Sequence, residues 1–367
     1  MRPASQIPFW TNVLFPPSLN KSVLSCSGNI QGELLASFDF YAEINEIGKR
    51  LLKSNHHPNP NKSFGRFQAY IRQAKTFYET AEFLHHRASP LNYYYSFMNL
   101  AKALIFVRDP TFVDHNLKHG IIQKPQNGLL RRQRVIVKKA GVFPKFYETT
   151  TRNTLLNNSS LSIVDLLSYV SDVAFEYVEI KYGSPSSFRT KIVFCSDAQK
   201  LNVFPLMAIN TAQSKRFKTI EKRLTKIFDE VMLPPHILKN VFELKAEVSP
   251  HFRYFEGKPV PVNSPLDKML AGISDYISPN PFNDDIPFLL NSPIRAPKLS
   301  TMNEMHSIYI IMFFLGSLVR YRPDLLENML STKDAWILER FIKSAPLTFL
   351  RYARNLLDGR YLVYTAR

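Results

Sequence analysis

Two consecutive helix patterns joined by a short link constrain the fold of this chain more than any other feature. From Phe64 to Leu84, apolar side chains recur at i, i+3, i+4 and i+7 spacing, which predicts an amphipathic helix. Ser89 and Pro90 predict a second helix, with the serine as N-cap and the proline at the first helical position, and Pro110 predicts its end. Because the link is short, we expect the two helices to be antiparallel neighbours.

The polar loop after the second helix carries residue types used in acid–base and phosphate chemistry. A histidine with an ordinary pKa transfers protons near neutral pH, and an arginine binds phosphate through paired hydrogen bonds. A structural interpretation is also open, in which Asp109 or Asp114 forms a local ion pair and Gly120 supplies a turn with positive φ. The candidate catalytic residues are Arg108, Asp109, His115 and His119.

The remaining patterns predict an α+β protein, with mostly helical N- and C-terminal parts and a strand-bearing middle region. Further helices are predicted over 162–180, with Ser162 as cap, and over 211–232, 302–322, 333–344 and 347–357. Strands are predicted near 134–138, in a hairpin of KIVFC with LNVFPLMA, and at 241–248 and 252–255, and a long loop over 279–300. The predicted regions are an N-terminal extension (1–63), a helical region with a basic hairpin (64–180), the strand-containing middle (181–300) and the C-terminal helices (301–367).

The charge balance predicts a polyanionic partner. Lys and Arg number 47 against 30 Asp and Glu, which gives a net charge of +17 and favours RNA or DNA as partner, although an inert basic surface would have the same composition. Two clusters could follow a phosphate backbone, and each could equally be a solvated strand or helix face. The clusters are Arg131, Arg132, Arg134, Lys138 and Lys139, and Lys215, Arg216, Lys218, Lys222 and Arg223.

Other function classes find little support. The two cysteines, Cys26 and Cys195, have no metal-ligand spacing and fit a reducing, cytoplasmic location. The apolar run 308–319 is too short to span a membrane, and the N-terminus lacks a signal-peptide pattern, so no membrane partner is expected. No phosphate-binding glycine loop or zinc pattern occurs, and no cofactor is predicted.

A metal-dependent nuclease of the PD-(D/E)xK type is an alternative. Glu243 and Lys245 would lie on one face of a predicted strand, where they could share a metal ion and a water molecule. The additional acid would be Asp229 or Glu230, both in a predicted helix.

Four segments of the chain resemble the YaaC-like proteins of bacteria. In order they are YYYSFMNLAKALI, LKHGI, AGVFPKFY and LGSLVRYRP, and the resemblance covers roughly residues 65 to 350. It implies a fold rather than an activity, because no activity is established for that family.

The predicted helix pair and its loop also resemble the HEPN superfamily. Many of its members are metal-independent endoribonucleases of toxin–antitoxin and antiphage systems. Their motif is an arginine and a histidine separated by four to six residues in all, of which the first is usually polar. Arg108, Asp109 and His115 match with six intervening residues, DPTFVD. The resemblance implies that Arg108 binds phosphate and that His115 is the general acid/base, with His119 as substitute. It also implies that the protein forms a homodimer or assembles with a partner defence subunit.

The leading hypothesis is therefore a cytoplasmic, nucleic-acid-acting protein, namely a metal-independent endoribonuclease of an antiphage defence or toxin system. The alternative is a non-catalytic nucleic-acid-binding or scaffold subunit of a defence complex. The tyrosines Tyr93, Tyr94 and Tyr95 are interpreted as helix-packing residues rather than as platforms for base stacking.

Overall fold

The computed structural model describes the helical parts of the chain and the backbone of several strands. The described residues are 10–14, 21–26, 28–112, 118–124, 126, 128–151, 154, 157–183, 185–197, 202–208, 228–231, 251–254, 260–261, 277–279, 288–291 and 302–366. The chain divides into two compact units, one of residues 1–21 and 186–295 and one of residues 22–185 and 296–367. The sequence-based division into four consecutive regions stays a prediction.

The second unit contains the described helices. They are α1 (Ile30–Ala42), α2 (Asn45–Ser54), α3 (Pro60–Phe83), α4 (Ser89–Arg108), α5 (Val142–Thr151), α6 (Ile163–Leu167), α7 (Ala174–Glu179), α8 (Glu304–Tyr321), α9 (Pro323–Leu330) and α10 (Asp334–Asp358). Helix α4 packs against α3, α5, α8 and α10, and most of its side chains are buried. A helix that is apolar on nearly all sides lies inside its unit, and α4 is the core around which this unit is built.

The described strands, in chain order, are β1 (Trp10–Leu14), β2 (Lys21–Cys26), β3 (Ile121–Lys124), β4 (Arg134–Val137), β5 (Ser159–Ser162), β6 (Ser187–Asp197), β7 (Asn202–Ala208), β8 (Phe228–Val231), β9 (His251–Tyr254), β10 (Val260–Pro261), β11 (Ile277–Pro279), β12 (Phe288–Asn291) and β13 (Tyr361–Ala366). In the second unit, β3, β4 and β5 form an antiparallel sheet, and β2 pairs with β13. The prediction of an α+β fold with a strand-bearing middle region is confirmed.

The first unit contains an eight-stranded sheet. Its strand order is β11-β12-β6-β7-β9-β8, with β1 also paired to β6 and β10 to β7. The predicted hairpin is confirmed, because Lys191 pairs with Ala208 and Cys195 with Phe204 in antiparallel register. The loop predicted over 279–300 was wrong at Phe288–Asn291, which is strand β12 paired with β6.

The predicted helix pair is confirmed. Rings from opposite ends of the two helices meet, with centroids 5.2 Å apart for Tyr78 and Tyr93 and 6.1 Å for Tyr70 and Phe106, so α3 and α4 are antiparallel. The N-cap prediction was wrong by one position: Ser89 is already helical and buried, and Ala88 precedes the helix without a side-chain cap.

Tertiary contacts explain two further differences. Residues 162–180 do not form one helix: Ser162 caps α6 as predicted, but the backbone N–H of Ser171 donates to Glu304 Oε1 at 2.6 Å, and a 3-10 turn separates α6 from α7. Conversely, α10 is continuous through Pro346. Proline removes one helical hydrogen bond, but the buried stripe from Ile337 to Leu357 continues on both sides of it and stabilises a single helix.

Other predictions fall wholly or mostly outside the described residues. The basic helix over 211–232 is described only at Phe228–Val231, where the chain is strand β8, and the strand over 241–248 is outside the description. The strand predicted at 252–255 is confirmed as β9. Among the described helices, none combines the length and apolar character that a membrane crossing requires.

Candidate functional site

A cavity of about 330 Å³ opens in the second unit between α4, strand β3 and the C-terminal half of α8. Its described lining consists of Leu91, Tyr94, Tyr95, His119, Ile121, Ile122, Gln123, Phe313, Gly316, Ser317, Arg320, Tyr321 and Arg322. Among these lining residues none carries a carboxylate, whereas one imidazole and two guanidinium groups are present. The described part of the lining is therefore basic and aromatic.

The close approach of α4 and α8 forms one wall of the cavity. A Cβ at Gly316 would lie 3.2 Å from Leu91 Cα and 3.3 Å from the Pro90 carbonyl oxygen. Both distances are tighter than ordinary contacts, so glycine lets the two helix backbones come together at this point. The following turn of α8 then brings Arg320 to the rim.

A turn stabilised by two glycines places His119 in the cavity. Gly120 has φ +76° and Gly141 has φ +136°, and a Cβ on either residue would overlap backbone or ring atoms of the opposite segment. The N–H of Phe143, in the first turn of α5, donates to the His119 carbonyl at 3.1 Å. Helix N-termini have free N–H groups, and this one holds the histidine turn against α5. The predicted structural role of Gly120 is confirmed.

The imidazole of His119 is held by a tyrosine from α4. Tyr94 Oη and His119 Nδ1 are hydrogen-bonded at 2.6 Å, which leaves Nε2 as the ring nitrogen available to a ligand. Burial, assisted by the positive charges of Arg320 and Lys102, lowers the pKa of His119 below its ordinary value. Burial also raises the pKa of Tyr94, so this hydroxyl keeps its proton. His119 is therefore neutral at pH 7 and fixed in orientation.

Arg320 supplies a cation beside this histidine. Its Nη1 donates to Tyr95 Oη at 3.0 Å, and the guanidinium lies 5.0 Å from the ring centroid of Tyr321. Within the described residues it forms no ion pair, whereas Arg322 is paired with Asp324 at 2.9 Å. Because Tyr321 is 65% exposed, the rim combines a cation without a counter-ion and an accessible aromatic ring.

The three consecutive tyrosines of α4 have different surroundings. Tyr93 is buried against Tyr78 and hydrogen-bonds Glu82, as the packing interpretation expects. Tyr94 is also buried, but its hydroxyl reaches the cavity and orients His119. Tyr95 is half-buried, and its hydroxyl oxygen accepts a hydrogen bond from Arg320. The packing interpretation is confirmed for Tyr93, while Tyr94 and Tyr95 pack and line the cavity as well.

The other predicted catalytic residues lie at the opposite end of α4. Arg108 donates to the carbonyl oxygens of Thr149 at 3.3 Å and Leu356 at 2.9 Å, at the ends of α5 and α10. Asp109 pairs with Lys145 at 3.0 Å. From Tyr94 to Arg108 the helix rises by roughly 21 Å, at about 1.5 Å per residue. The structure brings His119 to the cavity but not Arg108 or Asp109, and His115 lies outside the described residues.

The first basic cluster has mixed surroundings. Arg134 donates to Ser160 Oγ at 2.9 Å and Lys138 to Asn158 Oδ1 at 2.8 Å, both on the sheet. Arg131 instead donates to the Lys181 carbonyl at 2.6 Å and lies 4.9 Å from the Tyr182 ring centroid. Arg132 and Lys139 are exposed near the ends of β4.

The second basic cluster lies outside the described residues: Lys215, Arg216, Lys218, Lys222 and Arg223. Glu243 and Lys245 of the nuclease alternative also lie outside them. In the part of the chain that the structure describes, no group of three or more His, Cys, Asp and Glu side chains could hold a metal ion.

Sequence reasoning missed Arg320. A signal was present, because Gly316 and Arg320 are four residues apart and so share a helix face. The sequence does not show, however, that this face of α8 meets α4 rather than solvent.

The four segments that resemble the YaaC-like proteins meet at this cavity. The first contributes Tyr94 and Tyr95, the second His119 and Ile121, and the fourth Gly316 and Arg320, while the third supports the histidine turn through Phe143. The family model described as YaaC-like Protein matches residues 42–357. Neither a curated protein nor a solved structure matches the chain. Since the family model matches most of its length, the chain belongs to the YaaC-like protein family.

Proposed function

We propose that this protein acts on nucleic acid and that its cavity binds one nucleotide unit for metal-independent cleavage of RNA. The observation that carries the proposal is the shared position of His119 and Arg320 in a cavity whose described lining has no carboxylate. A phosphate diester is an anion next to a flat base, and the rim offers a cation with no counter-ion among the described residues beside the exposed ring of Tyr321.

The chemistry uses His119 as proton acceptor. When Nδ1–H of His119 donates to Tyr94 Oη, the Tyr94 hydroxyl donates to Met98 Sδ at 3.9 Å, and Nε2 is unprotonated. Nε2 then removes the proton of the ribose 2′-hydroxyl. The 2′-oxygen attacks phosphorus, the bond from phosphorus to the 5′-oxygen breaks, and the imidazolium returns its proton to that 5′-oxygen. The products are a 2′,3′-cyclic phosphate and a 5′-hydroxyl.

Arg320 has the complementary role of binding the phosphate. Negative charge grows on the non-bridging oxygens as the 2′-oxygen attacks, and a guanidinium donates two parallel hydrogen bonds to such oxygens. Burial and the two nearby cations lower the pKa of His119, and this keeps its basic form present at neutral pH. Arg320 therefore stabilises the charge that His119 helps to create.

The role of Arg108 and His115 in a HEPN-type motif is a separate version of this proposal. Its support is the antiparallel pair of α3 and α4 with its tyrosine-rich second helix. The homodimer and the place in antiphage defence or a toxin system are supported by the HEPN resemblance alone. In this version Arg108 has to release the two helix-end carbonyls before it can bind phosphate.

The decisive experiment incubates the purified protein with labelled single-stranded RNA in EDTA. Wild type is compared with His119→Gln, Arg320→Gln, Arg108→Gln and His115→Gln, and with His85→Gln as a matched control on an exposed histidine. We expect cleavage in wild type and the control, products ending in a 2′,3′-cyclic phosphate, and loss on the order of 10²–10⁴-fold in His119→Gln. Loss in Arg108→Gln and His115→Gln with full activity in His119→Gln would transfer the site to the other end of α4.

A non-catalytic nucleic-acid-binding protein is the second candidate. The observation that favours it is the pair of cations Arg134 and Lys138 on the β3–β4–β5 sheet, both of which donate to neutral side chains. Cations of this kind can hold a phosphate backbone without any acid–base group. RNA binding without cleavage in any buffer would establish this candidate. Cleavage that appears only with magnesium would instead favour the alternative built on Glu243 and Lys245.

A further inference from the structure

The sheet beside the cavity exposes one face that is basic and aliphatic. In the antiparallel register Ile122 pairs with Ile136, and Lys124 pairs with Arg134. Paired residues share a face, and the alternation along β3 and β4 places these four side chains on the outer side. Lys138 continues the same side of β4. The neighbouring residues Ile121, Val135 and Val137 are buried on the other side.

The cations of this face have no carboxylate partners among the described residues. Arg134 and Lys138 donate to the neutral side chains of Ser160 and Asn158 on the β5 side, and no described acid pairs with Lys124. Arg134 and Lys138 are four residues apart, which corresponds to roughly 13 Å along a strand. Successive phosphates of a stacked strand advance about 3.4 Å. The spacing therefore suits a polyanion with several phosphates better than a single phosphate group.

The face is continuous with the cavity. Ile122 belongs to both: it lines the cavity and, at 46% exposure, it stands on the outer face two residues from Lys124. Together with Ile136 it forms an aliphatic surface between the cations. Unpaired bases can pack their faces against apolar side chains while their phosphates meet Lys and Arg side chains, whereas a duplex hides its base faces in the stack.

We propose that a single-stranded nucleic acid lies across the outer face of β3 and β4 and enters the cavity past Ile122. This inference rests on the proposed function and specifies its substrate class: a single-stranded polymer rather than a mononucleotide or a duplex. Lys124, Arg134 and Lys138 bind the backbone outside the cavity, and Ile122 and Ile136 contact bases.

The test measures binding by fluorescence anisotropy over a series of salt concentrations. The probe is a labelled 16-mer of 2′-O-methyl RNA, which cannot be cleaved by 2′-oxygen attack. The variant combines Lys124→Gln, Arg134→Gln and Lys138→Gln. A matched control combines Arg50→Gln, Lys53→Gln and Lys62→Gln, three exposed positions on α2 and α3 with the same change in net charge.

We expect the slope of the logarithm of the association constant against the logarithm of salt concentration to become less negative by about 2 in the variant, at about 0.7 per phosphate contact. The slope should be unchanged in the control. Affinity for a single-stranded 4-mer and for a 16-base-pair duplex should be at least tenfold weaker than for the 16-mer. Equal slopes in variant and control, or equal affinity for the duplex, would overturn the inference. If the 16-mer binds and RNA is cleaved while the variant behaves as wild type, the proposed function stands. In that case only the proposed binding of the strand across the outer face of β3 and β4 is wrong. If wild type binds no oligonucleotide, both are overturned.

Discussion

The two ends of helix α4 carry similar residue types in different states. Near its N-terminal end, Tyr94 orients a half-buried His119 beside Arg320, and neither His119 nor Arg320 has a carboxylate partner among the described residues. At its C-terminal end, Arg108 and Asp109 are engaged by helix-end carbonyls and by Lys145. Residue type alone therefore does not identify a reactive centre, because a group whose hydrogen bonds are already satisfied has little left to offer a ligand.

The comparison also separates two physical roles of arginine. Arg108 satisfies carbonyl oxygens that helices α5 and α10 leave unpaired at their C-termini, which is a stabilising function. Arg320 bonds a neutral tyrosine hydroxyl and keeps a full positive charge next to the cavity. We expect substitutions at the first arginine to change stability and those at the second to change ligand binding.

The largest predicted effect contrasts His119 with Arg108. His119→Gln should lower RNA cleavage by on the order of 10²–10⁴-fold and leave the melting temperature nearly unchanged. Arg108→Gln should cost about 1 kcal/mol of unfolding free energy, because two exposed helix-end carbonyls lose their donor, with activity per folded molecule maintained. Urea unfolding and cleavage assays on the same preparations check both. Loss of cleavage in Arg108→Gln together with loss of stability alone in His119→Gln would place the reactive site at the C-terminal end of α4 instead.

The next prediction concerns the turn that positions His119. Gly120→Ala should destabilise the protein by about 3 kcal/mol or more, because φ is +76° and the new Cβ would overlap Pro144. Gly65→Ala is the matched control: nothing lies within 4 Å of its added Cβ in α3, and we expect stabilisation of up to about 1 kcal/mol. Denaturant titration measures both. An unchanged free energy of unfolding in Gly120→Ala would mean that the turn accommodates a side chain without strain.

A smaller effect links Arg320 to the protonation of His119. Burial and the nearby cations lower the pKa of His119, so removing one cation in Arg320→Gln should move that pKa up toward its ordinary value. In the proposed reaction neutral His119 is the active form, so we expect activity to fall as pH drops through its pKa and the acid limb of the pH profile to shift to higher pH in the variant. NMR titration of the histidine Cε1–H signal is the direct measurement. Lys343→Gln, at an exposed position on α10, should leave this signal unchanged.

The smallest effect is expected at Asp109. Burial acts to raise the pKa of Asp109, but hydrogen bonds from Thr111 and Lys145 outweigh it and lower the pKa overall. The stabilisation is therefore present at pH 7 and is lost as pH falls through the folded-state pKa. Asp109→Asn should cost about 0.5 kcal/mol at pH 7 and progressively less as the pH falls through the lowered pKa of the folded state. Glu148→Gln, a more exposed neighbour of Lys145, is the control and should change stability less.

Local patterns in the sequence were sufficient for the helix pair of α3 and α4, the end of α4 before Pro110, the strand β4 and the hairpin of β6 and β7. In each case periodicity or proline chemistry acts over a few neighbouring residues, and such effects can be read without a fold. The net charge and the four segments typical of YaaC-like proteins were equally visible, and a turn with positive φ at Gly120 was one of the two interpretations open for the loop after α4.

Only the tertiary structure decided which of these residues meet. Glu304 reaches Ser171 and interrupts a predicted helix, whereas continuous packing carries α10 through Pro346. Likewise, α8 brings Arg320 within reach of Tyr95, more than two hundred residues away in the chain, while Arg108 faces away from the cavity toward two helix ends. The physical reason is that hydrogen bonds and burial between distant segments depend on how the helices pack, and local sequence patterns do not encode that packing.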